Sequence, residues 1–334
     1  MGWFQRTQLV TVPTLVGLTE ASAESKLATL RLNTATTDQT STKPVGTVLL
    51  QSVPAGQRVA VGTTVKLTIA KAVVVPPVTP PATGYTSTIS AATNIDRSYQ
   101  DVHVTGNGPA SSKYGLWGDG LQGNTFKHML FDHVANGLKI GSGAQSSGLV
   151  GSDLKFADCD MPLFLSCVDD SEFSDMELQA NLIAGNNLYH CAYLERNCHR
   201  LKFSRVKMFG GSGYCLQLYT ESGASVGAEF TDVLLDATKG RYPLVIWGWS
   251  EVVFKNLTMI MPAGVSGWCA RLHETAKNVV FDGFTAQGGQ ALVGTYGNSP
   301  TNVVFRNGSY KGPALTPGDV AIPGITFENV TLIK

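Results

Sequence analysis

A short phrase recurs along the C-terminal three quarters of the chain: Asn124-Thr-Phe-Lys-His128, Glu172-Phe-Ser-Asp175, Val253-Phe-Lys-Asn256, Val280-Phe-Asp-Gly283, Val304-Phe-Arg-Asn307 and Thr326-Phe-Glu-Asn329. Taking the aromatic, or the residue in its place, as the register gives Val104, Phe126, Gly151, Phe173, Phe203, Phe230, Phe254, Phe281, Phe305 and Phe327, in steps of 22 to 30 residues. A repeat of this length built from strand-forming residues predicts a solenoid, in which each turn buries its apolar face against the next.

The remaining quarter is different in kind. Residues 73–83 read Val-Val-Val-Pro-Pro-Val-Thr-Pro-Pro-Ala-Thr, a stretch that favours extended polyproline II and acts as a semi-rigid spacer. Before it, Ala23, Leu27 and Leu30 recur at helical spacing, followed by Val45-Gly-Thr-Val48 and the alternating run Thr63 to Ile69, which predicts a small α+β unit. The chain therefore divides into an N-terminal arm (1–9) carrying Trp3 and Phe4, a small domain (10–71), a linker (72–85) and the repeat region (86–334).

At 43% apolar and 15% charged residues, both domains can bury a core. Lys+Arg and Asp+Glu are each 25, so no basic stripe is expected to track phosphates, and nucleic acid is excluded as a partner. No stretch approaches the length of a membrane span, and the first residues carry no basic segment followed by an apolar one, so export by the general secretory route is not expected. The six cysteines show no metal-ligand spacing and read as buried free thiols; no metal or cofactor is expected. Asp169, Asp170 and Glu172 lack the fixed spacing of a calcium loop and read as a solvated acidic loop.

The residues of the small domain carry a resemblance. Val12-Pro-Thr-Leu-Val-Gly17, Ala23 with Leu27, Gly46-Thr-Val48, Gln51-Ser-Val-Pro-Ala-Gly56 and Val59 to Leu67 resemble a PASTA domain over residues 10–71. The resemblance implies binding to muropeptides or wall glycan, or a role as a spacer or docking module. Arg31 stands where the pattern usually has the glycine that ends the helix.

In the repeat region a second strand recurs with each turn, beginning at Tyr114, Asn136, Met161, His190, Tyr214, Tyr242, Trp268 and Gln290. Alternation places Leu116, Leu138, Leu163, Ala192, Leu216, Leu244, Ala270 and Leu292 in one inward column. The whole resembles the right-handed parallel β-helix of the pectate-lyase-like and phage tailspike-like proteins, mainly β with about nine to ten turns. The Asp or Asn two places after the register residue (Asp153, Asp175, Asp232, Asn256, Asn307, Asn329) looks like a corner ladder that satisfies backbone groups left unpaired at a bend.

Chemistry is expected on the outward columns. One runs Trp117, Lys139, Phe164, Tyr193, Gln217, Val245, Arg271, Val293; its neighbour runs Asp119, Gly141, Ser166, Glu195, Tyr219, Trp247, His273, Thr295. The carbohydrate-binding candidates are Trp117, Phe164, Tyr193, Tyr219, Trp247 and Trp249, with Asp119, Arg271 and His273, since rings stack on pyranose faces while charged groups bind hydroxyls. Cover by loops or by another subunit is the competing expectation. Glu195 and Glu221 are the candidate catalytic carboxylates, one turn apart on a diagonal of about 7–8 Å.

A cell-wall type of module joined to a β-helix suggests a phage virion protein, a spike, fibre or decoration assembled in the host cytoplasm that meets cell-surface glycan. Its expected partners are other virion proteins, wall or surface glycan, and copies of itself, a trimer being favoured, or a partner covering the last turn. The alternatives are an extracellular polysaccharide lyase or glycoside hydrolase tethered to the wall, and an inert shaft.

Overall fold

A computed structural model describes residues 8–40, 46–71, 84–182, 188–221 and 224–334. Trp3, Phe4 and the proline-rich stretch 73–83 lie outside them. The chain divides into two compact units, Met1–Thr79 and Pro80–Lys334.

In the first unit a helix, Glu20–Thr29, starts where the Thr19 hydroxyl accepts the amide of Ser22, which satisfies one of the free N–H groups of the first turn. Its Ala23 and Leu27 are buried with Val12, Leu15, Leu32, Val48, Val65, Leu67 and Ile69. The strand Thr64–Lys71 is central, parallel to Asn33–Thr40 and antiparallel to Val48–Gln51. Arg31 takes the left-handed conformation itself (φ 55°), while the amides of Arg31 and Leu32 bond the carbonyls of Ala28 and Leu27. The helix thus ends in a Schellman motif without glycine, at a cost of roughly 1 kcal/mol.

The second unit is a right-handed parallel β-helix of about nine turns. Phe126, Gly151, Phe173, Phe203, Phe230, Phe254, Phe281, Phe305 and Phe327 pair turn upon turn. From Phe203 to Phe305 the rings stack nearly parallel, with centroids 4.2–4.9 Å apart. The first member of this column is Tyr99, which pairs with Phe126; Val104 pairs with Phe131 and belongs to a second inward column five residues on. Both columns are apolar, so periodicity alone could not separate them.

Two left-handed residues bracket each register residue. Three places before it stand Gly123, Gly148, Asp170, Arg200, Gly227, Glu251, Asn278, Asn302 and Gly324; two places after it stand His128, Asp153, Asp175, Arg205, Asp232, Asn256, Gly283, Asn307 and Asn329, all at positive φ. Asp and Asn are favoured there because they tolerate this backbone better than other side chains do. This corrects the expected role of the ladder. Its side chains are exposed and bond one another, as Asn256 Nδ2 does with Asp232 at 2.6 Å and Arg205 with both oxygens of Asp175.

The acids at 169, 170 and 172 are paired, although Asp170 and Glu172 stay exposed to solvent as expected. Asp169 meets His199 Nδ1 at 2.6 Å, Asp170 holds Arg200 through two bonds, and Glu172 holds Lys202 at 2.7 Å, each partner lying one turn on. All six cysteines are buried free thiols. No helix among the described residues is long and apolar enough to cross a membrane.

Candidate functional site

The strands Tyr114–Gly118, Tyr214–Tyr219 and Tyr242–Trp247, with the ends of the longer strands Thr125–Ile140, Val150–Leu165, Trp249–His273 and Lys277–Tyr296, stack to form the outward face in question. Trp117, Lys139, Phe164, Tyr193, Gln217, Val245 and Arg271 share one column. The last turn is slipped by one residue from the expected alignment: Ala270 pairs with Val293, so Val293 points into the core, and Gly294 and Tyr296 take the outward positions assigned to Val293 and Thr295. Tyr296, 53% exposed, is therefore a site residue that the repeat alignment missed.

Six rings form a continuous ladder up this face. Phe164 meets Tyr193 edge to face at 5.4 Å, Tyr193 meets Tyr219 at 6.1 Å, and Tyr219 meets Trp247 at 5.1 Å. Trp247 lies flat on His273 at 3.7 Å, and Tyr296 closes the top at 5.9 Å from His273. Lower down, Trp117 leans on Tyr114 at 6.2 Å, and the Lys139 ammonium lies over the rings of both Tyr114 and Phe164.

The polar groups lie among these rings. The Tyr219 hydroxyl donates to the Glu221 carboxylate, and burial together with that acceptor pushes the phenol up to about 12. Burial, and then the charge of Glu195, raise Tyr193 as well, so both phenols stay protonated donors at neutral pH. Glu195 and Glu221 thus act on the same two phenols. Among the described residues no hydrogen bond links the two carboxylates, and Glu221 is exposed on the open surface.

Toward the top, a cleft of about 240 Å³ is lined by Tyr214, Gln217, Tyr219, Val245, Trp247, Arg271, His273 and Tyr296. Arg271 donates from Nη1 to the Tyr214 hydroxyl at 2.8 Å and lies 4.6 Å from the centre of the Tyr296 ring. Burial lowers the pKa of His273; Glu274 opposes this and Arg271 adds to it, so the imidazole under Trp247 is neutral at pH 7. Beneath the cleft, buried His190 accepts the Tyr214 amide on Nδ1 at 2.9 Å, and burial takes its pKa down to about 4.

Two expected binding residues are placed otherwise. Trp249 is fully buried in the core, and its indole N–H has no acceptor among the described residues. The cause is Gly248, left-handed at φ 77°, which breaks strand alternation between Trp247 outside and Trp249 inside. Asp119 accepts hydrogen bonds from Ser142 N, Ser142 Oγ and Ala144 N, so its oxygens hold the 142–144 turn.

A second cleft, of about 500 Å³, lies elsewhere on the β-helix, bordered by Asn136, Asp158, Asp160, Met161, Asn181 and Tyr189. Asn181 Nδ2 donates to both carboxylates, at 3.0 and 3.1 Å. Burial raises the pKa of Asp160, against hydrogen bonds from Asn181 and Tyr189. His133 lies 3.7 Å from Asp158 and 3.3 Å from the buried Asp132. His128 holds Asp101 at 2.7 Å. The signal in the sequence was Asp158-Cys-Asp160, two outward acids around a buried cysteine, but their common partner Asn181 is a full turn away.

Residues 10–71 match the PASTA domain family model. No curated protein matches the chain in sequence. Among solved structures, the A-module of a mannuronan C-5 epimerase from Azotobacter vinelandii is similar, at TM-score 0.58 and 10% identity, with 75% of each chain covered. The ORF18 protein of Geobacillus virus E2 is similar at TM-score 0.41 and 12% identity, over 74% of this chain and 51% of that one. The enzymatically active domain of tailspike protein 2 from bacteriophage CBA120 follows at TM-score 0.40 and 13% identity, over 68% and 38%. At these identities the likeness is one of fold.

Proposed function

We propose that the β-helix is a glycan-adhesion surface and that the PASTA domain brings it to a bacterial cell wall. The observation that carries this reading is the ladder Phe164–Tyr193–Tyr219–Trp247–His273–Tyr296, a run of rings in contact, partly open except for His273 covered by Trp247, with phenol, carboxylate and guanidinium groups along it. A sugar chain laid along such a ladder stacks its apolar ring faces on the aromatics and exchanges hydrogen bonds at its hydroxyls. The setting we infer is a projecting spike or fibre of a phage virion, in contact with other virion proteins and copies of this chain.

Retention on immobilised wall and capsular polysaccharides tests the surface, and the presence of the chain in purified particles tests the setting. Trp247→Ala is expected to weaken retention at least tenfold, about 1.4 kcal/mol. Equal retention of the variant and the parent removes the ladder from the reading. A second reading, cleavage of the bound glycan, is favoured by the Asp158–Asp160 cleft, where a partly buried acid beside a carboxylate matches the needs of glycoside hydrolysis. It predicts new reducing ends that vanish in Asp160→Asn; loss in Glu221→Gln instead would return the chemistry to the ladder.

A further inference from the structure

The cleft at the top of the ladder carries one positive charge and no negative one. Its walls are rings, and Arg271 is the charged group among the lining residues. Two acids stand nearby, and both are engaged: Glu221 takes the Tyr219 hydroxyl, and Glu274 accepts the backbone amide of Asn298 at 2.8 Å. Three arginines on the outer surface of the β-helix behave differently. Arg200 and Arg205 each close on a carboxylate through two bonds, and Arg306 bonds Asp282 at 2.8 Å. Arg271 instead donates to a neutral phenol and lies against a ring, and among the described residues it meets no carboxylate.

We infer that the ladder recognises an acidic glycan, with the Arg271 guanidinium receiving the carboxylate of one sugar residue seated in the cleft that Trp247 and Tyr296 border. This rests on the glycan-adhesion reading above and adds the chemical class of the ligand. The bond to Tyr214 uses one of the five guanidinium donors and holds the plane of the group, which leaves the others for a planar acceptor. A carboxylate suits that fork through two parallel hydrogen bonds, charge-assisted and about twice as strong as neutral ones. The cleft volume, about 240 Å³, falls below the roughly 300–1,000 Å³ of clefts that take drug-sized ligands, so it seats one sugar unit of a chain at a time. The neutral state of His273 keeps the charge at +1, which matches one acid group per seated unit.

The test uses the whole chain on an array of bacterial capsular and wall polysaccharides, each printed in its native form and after reduction of its carboxyl groups to alcohols. Uronate-bearing polymers are expected to bind at least tenfold better native than reduced. Arg271→Gln is expected to abolish that difference, while Arg271→Lys, which keeps the charge and loses the fork, retains part of it. A cooperative melt matching the parent's shows that each variant is folded. Equal binding to native and reduced polymers overturns the inference and leaves the adhesion reading standing. Preference for sulfated or phosphate-bearing polymers without carboxylates overturns the choice of acid. Binding to nothing on the array overturns both.

Discussion

His190 ties the stability of the β-helix to pH. The ring is 4% exposed, lies between Tyr193 and Tyr214, and accepts the Tyr214 amide on Nδ1. Protonation would place a hydrogen on that nitrogen and a charge in the protein interior, which is why burial depresses the pKa to about 4 from an unfolded value of 6.5. The folded state therefore binds fewer protons than the unfolded state between those values. The stabilisation is fully present above pH 6.5 and is lost as the pH falls through 4. At 1.36 kcal/mol per unit, the loss relative to pH 7 is about 2 kcal/mol at pH 5 and about 3 kcal/mol at pH 4. Urea unfolding followed by tryptophan fluorescence at pH 7, 5 and 4 measures it. His190→Asn keeps an acceptor near the Tyr214 amide and does not titrate, so the parent should lose 2–3 kcal/mol more than this variant over the range. Parallel pH profiles for the two proteins would show that the buried imidazole does not control acid stability.

Three other perturbations probe the scaffold. Phe254→Ala removes a fully buried ring stacked 4.9 Å from both Phe230 and Phe281, and should cost about 3–5 kcal/mol in chemical denaturation. Gly141→Ala should cost at least about 3 kcal/mol or prevent folding, because the residue is left-handed at φ 88° and an added Cβ would lie 1.6 Å from the Ser166 carbonyl oxygen. Trp249→Phe deletes the buried indole N–H that lacks an acceptor, so relief of that group offsets part of the lost packing. Its net cost should stay below about 2 kcal/mol, and glycan retention should match the parent's, in contrast to Trp247→Ala.

The register was legible from Phe126 to Phe327 because every turn but that of Gly151 carries a ring at the same place, buried from Phe126 to Phe305; it failed at Val104, where the second inward column is equally apolar. Reading failed where the backbone departs from alternation. Gly248 reverses the direction of Trp249, and the left-handed pair Gly288–Gly289 accompanies the slip that brings Tyr296 onto the ladder. A glycine in a strand signals that alternation is at risk, but whether it adopts positive φ depends on how close the neighbouring turn comes. The clefts were beyond reach for another reason: Tyr214 and Arg271 are 57 residues apart, and Asp158 and Asn181 are 23 apart, so their meeting depends on the length of every intervening turn.

The paired left-handed corners have a consequence for how such a chain can change over time. The interval from one corner to the other is constant in every turn from Phe126 onward, whereas whole turns range from 22 to 30 residues. Insertions and deletions are therefore confined to the arc outside the corners, where they alter the exposed loops and leave the stacking of the rings untouched. The solenoid behaves as a rack with fixed slots. Whole turns can be duplicated or lost as cassettes, and the outer surface can diversify without renegotiating the core.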